Sequence, residues 1–309
     1  MSWLSEYKKS LKMPEVEEFF DLFFYRPFAF LLVKIVYHTN VTPNQLTLIA
    51  IFVGLVSATF YSFGPQYFTI AAICFAMYNI IDCSDGMLAR LKKNGSNAGR
   101  ILDGLADYIS TAAVLIGIAI GISRNTNDKA YWWLMLAAAG FSNVIQSALV
   151  DYYRNRFLDY VLQRKSTFEE GLQAFRDEYN EIKNQKGKWL DRMIIRSYFI
   201  YSDIQNSLAA KKRKEKLFKA TPQDYYRRNK TAVRMWVSIG PTSQVTALMV
   251  CSVLNRFDIF FWLMIGLFNL IAVIMWIVQL SIDKTFKKIQ TDEGSNPGSG
   301  NLIQAEAAN

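Results

Sequence analysis

The chain has 309 residues, of which 51% are hydrophobic, 15% aromatic and 20% charged, with 35 Lys and Arg against 26 Asp and Glu for a net charge of +9. That mixture excludes a mainly disordered chain, because too much apolar surface needs burying, and it points to a membrane protein with one sizeable water-facing part. Three well-separated cysteines, Cys74, Cys83 and Cys251, exclude a disulfide scaffold and a cysteine zinc site, and the single histidine, His38, leaves no material for a His-ligated metal centre or a Ser-His-Asp triad.

In chain order, residues 1–41 come first. The part from 14 to 38 is aromatic and half apolar, and the stretch after Pro27 is too short to cross a bilayer comfortably and carries Lys34. A helix lying along the inner leaflet is expected, with an uncleaved seventh span as the alternative. A charged start, apolar stretch and small-residue cleavage site in sequence are missing, so this is not read as a cleaved signal peptide. Six apolar runs follow at 42–63, 67–90, 101–122, 131–153, 234–254 and 259–282. Each is close to the ~20 residues a spanning helix needs. The first opens on Thr42-Pro43-Asn44, with Thr42 placed to cap and Pro43 suited to the first helical position.

Short connections join runs one and two, three and four, and five and six, whereas the loop at 91–97 is basic. Residues 154–233 form a polar insertion with 19 Lys and Arg against 10 Asp and Glu. Phe157 and Val161, then Leu172, Phe175, Tyr179 and Ile182, recur at helical spacing there. Its cluster Lys211, Lys212, Arg213, Lys214 and Lys216 reads either as an attractor of anionic headgroups or as a solvated helix face. Nucleic acid is not an expected partner; membrane lipids are. The tail 283–309 reads as disordered from Thr291 onward. The expected fold is therefore all-α: a polytopic membrane protein with six transmembrane helices plus an N-terminal interfacial helix. Spans one to four occupy 42–153, and spans five and six occupy 234–282. If both termini are cytoplasmic, all but Arg124, Lys129 and Arg256 of the 35 basic residues lie inside, which is the orientation expected.

Charge inside apolar helices is costly and marks function. The second run ends Asp82-Cys83-Ser84-Asp85-Gly86-Met87-Leu88-Ala89-Arg90, and the third begins Gly99-Arg100-Ile101-Leu102-Asp103-Gly104-Leu105-Ala106-Asp107. Asp82 and Asp85 are spaced i, i+3 and Asp103 and Asp107 i, i+4, so each pair shares a helix face. The short link between them predicts antiparallel neighbours with four carboxylates converging near the inner boundary. Hard divalent cations, Mg²⁺, Mn²⁺ or Ca²⁺, would offset the repulsion. Two metals about 3.5–4 Å apart would bind a pyrophosphate and steady an in-line phosphoryl transfer. Gly86 and Ala89 leave room for a flat ligand beside the aspartates, and Gly99 permits close helix approach. On physical grounds alone, a cation or proton pathway, as in a cation-coupled transporter, is a rival.

The pattern Asp82-x-x-Asp85-Gly86-x-x-Ala89-Arg90, eight residues, Gly99-x-x-x-Asp103-x-x-x-Asp107 resembles the signature of the CDP-alcohol phosphotransferase (CDP-alcohol phosphatidyltransferase) family at all its fixed positions. The similarity extends to the six-helix layout and to Thr42-Pro43-Asn44. The resemblance implies two divalent cations, Mg²⁺ or Mn²⁺, bound by Asp82, Asp85, Asp103 and Asp107, with Asp107 also the base that deprotonates the acceptor hydroxyl. It implies that Gly86 and Ala89 border the cytidine, that Arg90 reaches a phosphate or supports the site, and that Thr42 and Asn44 close the nucleotide pocket. The implied reaction transfers a substituted phosphate from a CDP-linked donor to an alcohol and releases CMP. The long insertion at 154–233 departs from the family's compact pattern and leaves the subfamily open.

The end of the fourth run, Asp151-Tyr152-Tyr153-Arg154-Asn155-Arg156, is similar to family members whose acceptor bears a phosphate, such as inositol phosphate. Arg154 and Arg156 are candidate phosphate ligands on that account; ending a helix beside anionic lipid is the other reading. CDP-diacylglycerol is the favoured donor. A choline- or ethanolamine-type transferase acting on diacylglycerol or ceramide is the alternative. Phospholipid biosynthesis is the expected role either way, and the sequence leaves homodimerisation open.

Overall fold

The computed structural model describes residues 6–7, 10–11, 13–124, 126–163, 176–183, 185, 192–193, 195–196, 199 and 221–295. Among them there is no strand, and the chain is all-α. The helices are α1 (Arg26–Val36), α2 (Pro43–Ser62), α3 (Phe68–Lys92), α4 (Asn97–Ser123), α5 (Lys129–Val161), α6 (Pro222–Val237), α7 (Pro241–Val253), α8 (Phe257–Phe261) and α9 (Phe268–Ser295). A π-helical turn, Trp262–Leu267, makes α8 and α9 one continuous rod. Five rods are long and apolar enough to cross a membrane: Pro43–Ser62, Pro65–Lys92, Ile101–Ser123, Lys129–Val161 and Phe257–Phe286. The outward faces of these rods carry large apolar side chains such as Phe52, Ile73, Phe141, Leu270 and Ile277, which suits lipid. The chain is thus a polytopic membrane protein.

The fifth expected run is interrupted, and neither of its pieces is among the five rods long and apolar enough to cross on its own. It breaks at Ser238-Ile239-Gly240-Pro241 into the end of α6 and the whole of α7. Pro241 lacks the amide that would continue the helix ladder, and Gly240 sits extended as the cap of α7. The 13 residues of α7 rise about 20 Å, short of the ~30 Å hydrocarbon core. The basic cluster at 211–216 and the tail from 296 lie outside the described residues; α9 itself runs through Ser295.

Helix α2 begins as its sequence dictates. The Thr42 hydroxyl accepts the Gln45 amide at 3.3 Å, the Gln45 side chain accepts the Thr42 amide at 2.9 Å, and Pro43 fills the first helical position. Helix α2 packs along both α3 and α4, whereas those two have little direct contact with each other. The expected antiparallel neighbours are therefore held side by side on α2, with a cleft between them. Glycines make the α2–α4 crossing close: a Cβ at Gly117 would lie 2.3 Å from the Ala58 carbonyl oxygen, and one at Gly121 would lie 2.1 Å from that of Tyr61. Helix α3 ends with Lys93 in the left-handed region at φ 53°, and Ser96 caps α4 by accepting the Gly99 amide at 2.9 Å.

The N-terminal segment is a strap across both halves. Ser10 offers its carbonyl to Arg90 Nε at 2.6 Å, and Glu15 accepts from the Tyr226 hydroxyl at 2.8 Å. Glu18 accepts the Ser243 amide at 2.9 Å at the start of α7, Asp21 accepts from Thr242 at 3.1 Å, and the Tyr25 hydroxyl meets Thr246 at 3.0 Å. Glu17 pairs with Arg26 at 2.7 Å in a nearly dry setting. Phe19, Phe23, Phe28, Leu31 and Ile35 stay exposed on its outer surface. Residues 19–36 carry Asp21, Arg26 and Lys34, and the segment is not among the five spanning rods. An amphipathic strap at the interface explains that pattern.

Candidate active site

The end of α3 and the beginning of α4 bring carboxylates together on either side of the cleft. Asp82, Asp85 and Asp103 each offer one oxygen, and these three oxygens lie within 4.8 Å of one another. Asp85 is buried, Asp82 and Asp103 are partly exposed, and Asp107, one turn further along α4, opens to solvent-accessible space. Asp82 Oδ1 is buried without a hydrogen-bond partner, and neither Asp82, Asp85 nor Asp107 forms an ion pair with a described Lys or Arg. Oxygens on opposite sides of a cation are about 4–5 Å apart for Mg²⁺ to Ca²⁺, so this spacing suits ligands converging on a hard divalent ion. An orphaned buried carboxylate oxygen is the atom such an ion would satisfy, and the residues present fit the metal.

Two further side chains hold the carboxylates. The Thr47 hydroxyl, from α2, donates to Asp85 Oδ2 and also approaches the Pro43 carbonyl at 3.2 Å. Tyr78, one turn before Asp82 on α3, donates its phenol to Asp107 Oδ1 at 2.8 Å. Neither was singled out by the sequence pattern. Thr47 lies five residues after Thr42 in an apolar helix, and Tyr78 looks like one more core aromatic in an apolar run.

The other expected residues fall around this centre in distinct ways. A Cβ on Gly86 would meet only the Arg90 guanidinium, with the nearest atom at 3.4 Å, so the face beside Asp85 is open. Ala89 is half-buried on the next turn and faces the loop, 3.6 Å from where a Gly95 Cβ would stand. Arg90 is anchored through Nε to the strap at Ser10. The Thr42 hydroxyl is engaged in the helix cap. Asn44 packs against the start of α4, its Oδ1 just 2.7 Å from the position of a Gly99 Cβ, so a side chain at 99 would displace Asn44. Arg154 pairs with Asp151 on its own helix. Arg156 reaches across to Asp283 of α9 at 2.8 Å, and the Gln279 amide donates to the other oxygen of Asp283 at 3.3 Å. From the insertion, Glu178 accepts the Ala98 amide at 3.4 Å, and Ile182 and Ile195 pack on Ala98, so the described part of the insertion sits at the mouth of α4.

Outside the spanning rods, burial and the neighbouring Asp21 push Glu18 up to about 8, against the opposing pull of the Ser243 and Thr242 amides and of Arg154.

A cluster of carboxylates whose spacing suits a divalent ion, built at the facing ends of two membrane helices, is the geometry of a membrane-embedded phosphoryl-transfer site. Residues 40–157 match the family model described as CDP-alcohol phosphatidyltransferase. Over 82 residues the chain is 39% identical to archaetidylinositol phosphate synthase of Pyrococcus horikoshii, covering 26% of this chain and 43% of that protein. Over 139 residues it is 28% identical to phosphatidylinositol phosphate synthase of Corynebacterium glutamicum, covering 45% and 55%. Over 176 residues it is 25% identical to a bifunctional IPC transferase and DIPP synthase of Thermococcus kodakarensis, covering 55% and 35%. The chain thus spans about half the length, or less, of the curated relatives it matches.

Proposed function

We propose that this protein transfers the phosphatidyl group of a CDP-linked lipid, CDP-diacylglycerol, to an alcohol that bears a phosphate, of which inositol phosphate is the first candidate, and releases CMP. The observation that carries the reading is the convergence of Asp82, Asp85 and Asp103 within 4.8 Å around an orphaned carboxylate oxygen, inside the stretch that matches the family. The acceptor assignment rests on the names of the relatives from Pyrococcus and Corynebacterium. Two divalent cations held by Asp82, Asp85 and Asp103, with Asp107 beside them as the base, would neutralise the donor pyrophosphate and improve the leaving group.

The protein's own residues account for the rest. Asp107, open to the cleft, takes the proton of the acceptor hydroxyl. The freed oxygen bonds to the phosphorus that carries the lipid, the bond from that phosphorus to the bridging oxygen breaks, and CMP departs with the bridging oxygen. Gly86 and Ala89 leave the donor nucleotide room on the α3 face, with Asn44 and Arg90 at its border. Arg154 and Arg156 bind the acceptor phosphate by exchanging it for Asp151 and Asp283. Both termini and the mouth of the cleft face the cytoplasm, in keeping with the bias of basic residues. This takes α7 as a sixth, shorter crossing, which is supported by its running from the strap at Ser243 to the far end of α2, where Tyr61 donates to Ser252 at 3.0 Å.

The test is a panel of CDP-donors and alcohols with purified protein, scored by CMP release. CDP-diacylglycerol with inositol phosphate should turn over, inositol alone should be poor, and Arg154→Ala should raise the acceptor KM about tenfold with the donor KM unchanged. CMP release confined to CDP-choline or CDP-ethanolamine with diacylglycerol would reverse donor and acceptor. No CMP with any pair would leave the transporter reading in its place.

A further inference from the structure

We propose that Tyr78 is a positioning residue that holds Asp107 for proton transfer. The inference rests on the reading of Asp107 as the base. Tyr78 and Asp82 are four residues apart on α3, so the phenol stands one turn deeper than the metal-facing carboxylate and points across the cleft at the level of Asp107. Its hydroxyl donates to Asp107 Oδ1 at 2.8 Å. A carboxylate has two oxygens; tying one to the protein leaves Oδ2 as the oxygen available to the cleft.

The anchor is rigid. Tyr78 is 2% exposed, and its ring stacks on buried Phe75 with centroids 5.3 Å apart and planes 11° apart. On its other flank lie Gly54 of α2 and Ser110 of α4. A Cβ added at Gly54 would come within 3.3 Å of the Tyr78 ring and 2.7 Å of Ser110 Oγ, so the glycine is what gives the ring its place. A water in the same position would satisfy Oδ1 and yet allow the carboxylate to swing; a phenol locked between three helices does not. Reaction geometry is sensitive to displacements of this size, because the base must lie within hydrogen-bond reach of the attacking hydroxyl.

Tyr78→Phe removes a single oxygen and keeps the ring stacked, so the variant should fold. Its kcat should fall about ten- to hundredfold, the scale of one hydrogen bond to a charged group. The KM for the CDP-donor should stay within about twofold of the parent, as should the Mg²⁺ concentration giving half of the metal-induced thermal stabilisation. In an Asp107→Asn background, assayed at high enzyme concentration, Tyr78→Phe should cost nothing further, since its action passes through the carboxylate. A parental kcat in Tyr78→Phe overturns the proposal. So does a loss that multiplies with that of Asp107→Asn, or a Mg²⁺ midpoint displaced as far as kcat. Parental turnover in Asp107→Asn is a separate result: it removes the base reading itself, whatever Tyr78→Phe does.

Discussion

Thr47→Val probes the coupling between the first span and the metal site. Valine has nearly the shape of threonine, so the packing of α2 against α3 is kept and only the hydroxyl is lost. In the parent that hydroxyl is buried, with Thr47 at 2% exposure, and it donates to Asp85 Oδ2, itself on a buried residue. Asp85 is thereby held by α2 while it offers an oxygen to the cluster with Asp82 and Asp103. A hydrogen bond to a charged group is worth about 1.5–3 kcal/mol, which corresponds to roughly ten- to hundredfold in a binding constant. The expected result is a Mg²⁺ requirement higher by that factor, read both from turnover and from metal-induced thermal stabilisation. Thr47→Ser, which keeps the hydroxyl, should stay within a few fold of the parent. A Thr47→Val protein with the parent's Mg²⁺ midpoint would show that Asp85 needs no orientation from α2, and the reasoning would fail.

Two other perturbations separate folding from function. Gly86→Ala adds a methyl that meets only the Arg90 guanidinium, at an ordinary contact distance of 3.4 Å, and alanine is favoured over glycine in a helix by about 1 kcal/mol; the melting temperature should hold or rise while CDP-donor affinity falls about tenfold, and unchanged affinity would remove the nucleotide from this face. Glu18 carries a folded-state value of about 8 against an ordinary 4.5, so the native fold keeps a proton that the unfolded chain gives up between those values. The stability this contributes is complete below about pH 4.5 and is lost as pH rises to about 8, with an upper bound of about 5 kcal/mol. Glu18→Gln should flatten that decline in thermal stability, and parallel curves for variant and parent across pH 5 to 9 would contradict the assignment.

Much of the site was legible in the linear pattern because its geometry is local. The i, i+3 and i, i+4 spacings put each aspartate pair on one face before any packing is known, and Thr42 and Pro43 announced the start of α2. What escaped was set by distance along the chain. Asp283 lies 127 residues from Arg156 and turns a candidate phosphate ligand into one arm of an ion pair. Glu18 and Asp21 reach α7 over more than 220 residues, and no periodicity in 14–38 signals that. Tyr78 is indistinguishable from a core aromatic until α4 is laid beside it. The break before α7 did have a signal: Gly240-Pro241 sits inside the apolar run at 234–254, and hydropathy averaged over the run passes across it. The close approach of α4 to α2 came from glycines at 117 and 121, whose role depends on which helix they meet.

The most direct test of the account is equilibrium binding of Mn²⁺ to the purified protein, measured without substrate by the loss of the free-ion resonance signal. The parent should bind Mn²⁺ in competition with Mg²⁺, and Asp82→Asn, Asp85→Asn and Asp103→Asn should each weaken that binding by at least about tenfold, as expected for loss of one charged ligand. Binding of the same strength in the parent and all three variants would contradict the account, because the carboxylates that converge within 4.8 Å would then not be what holds the metal.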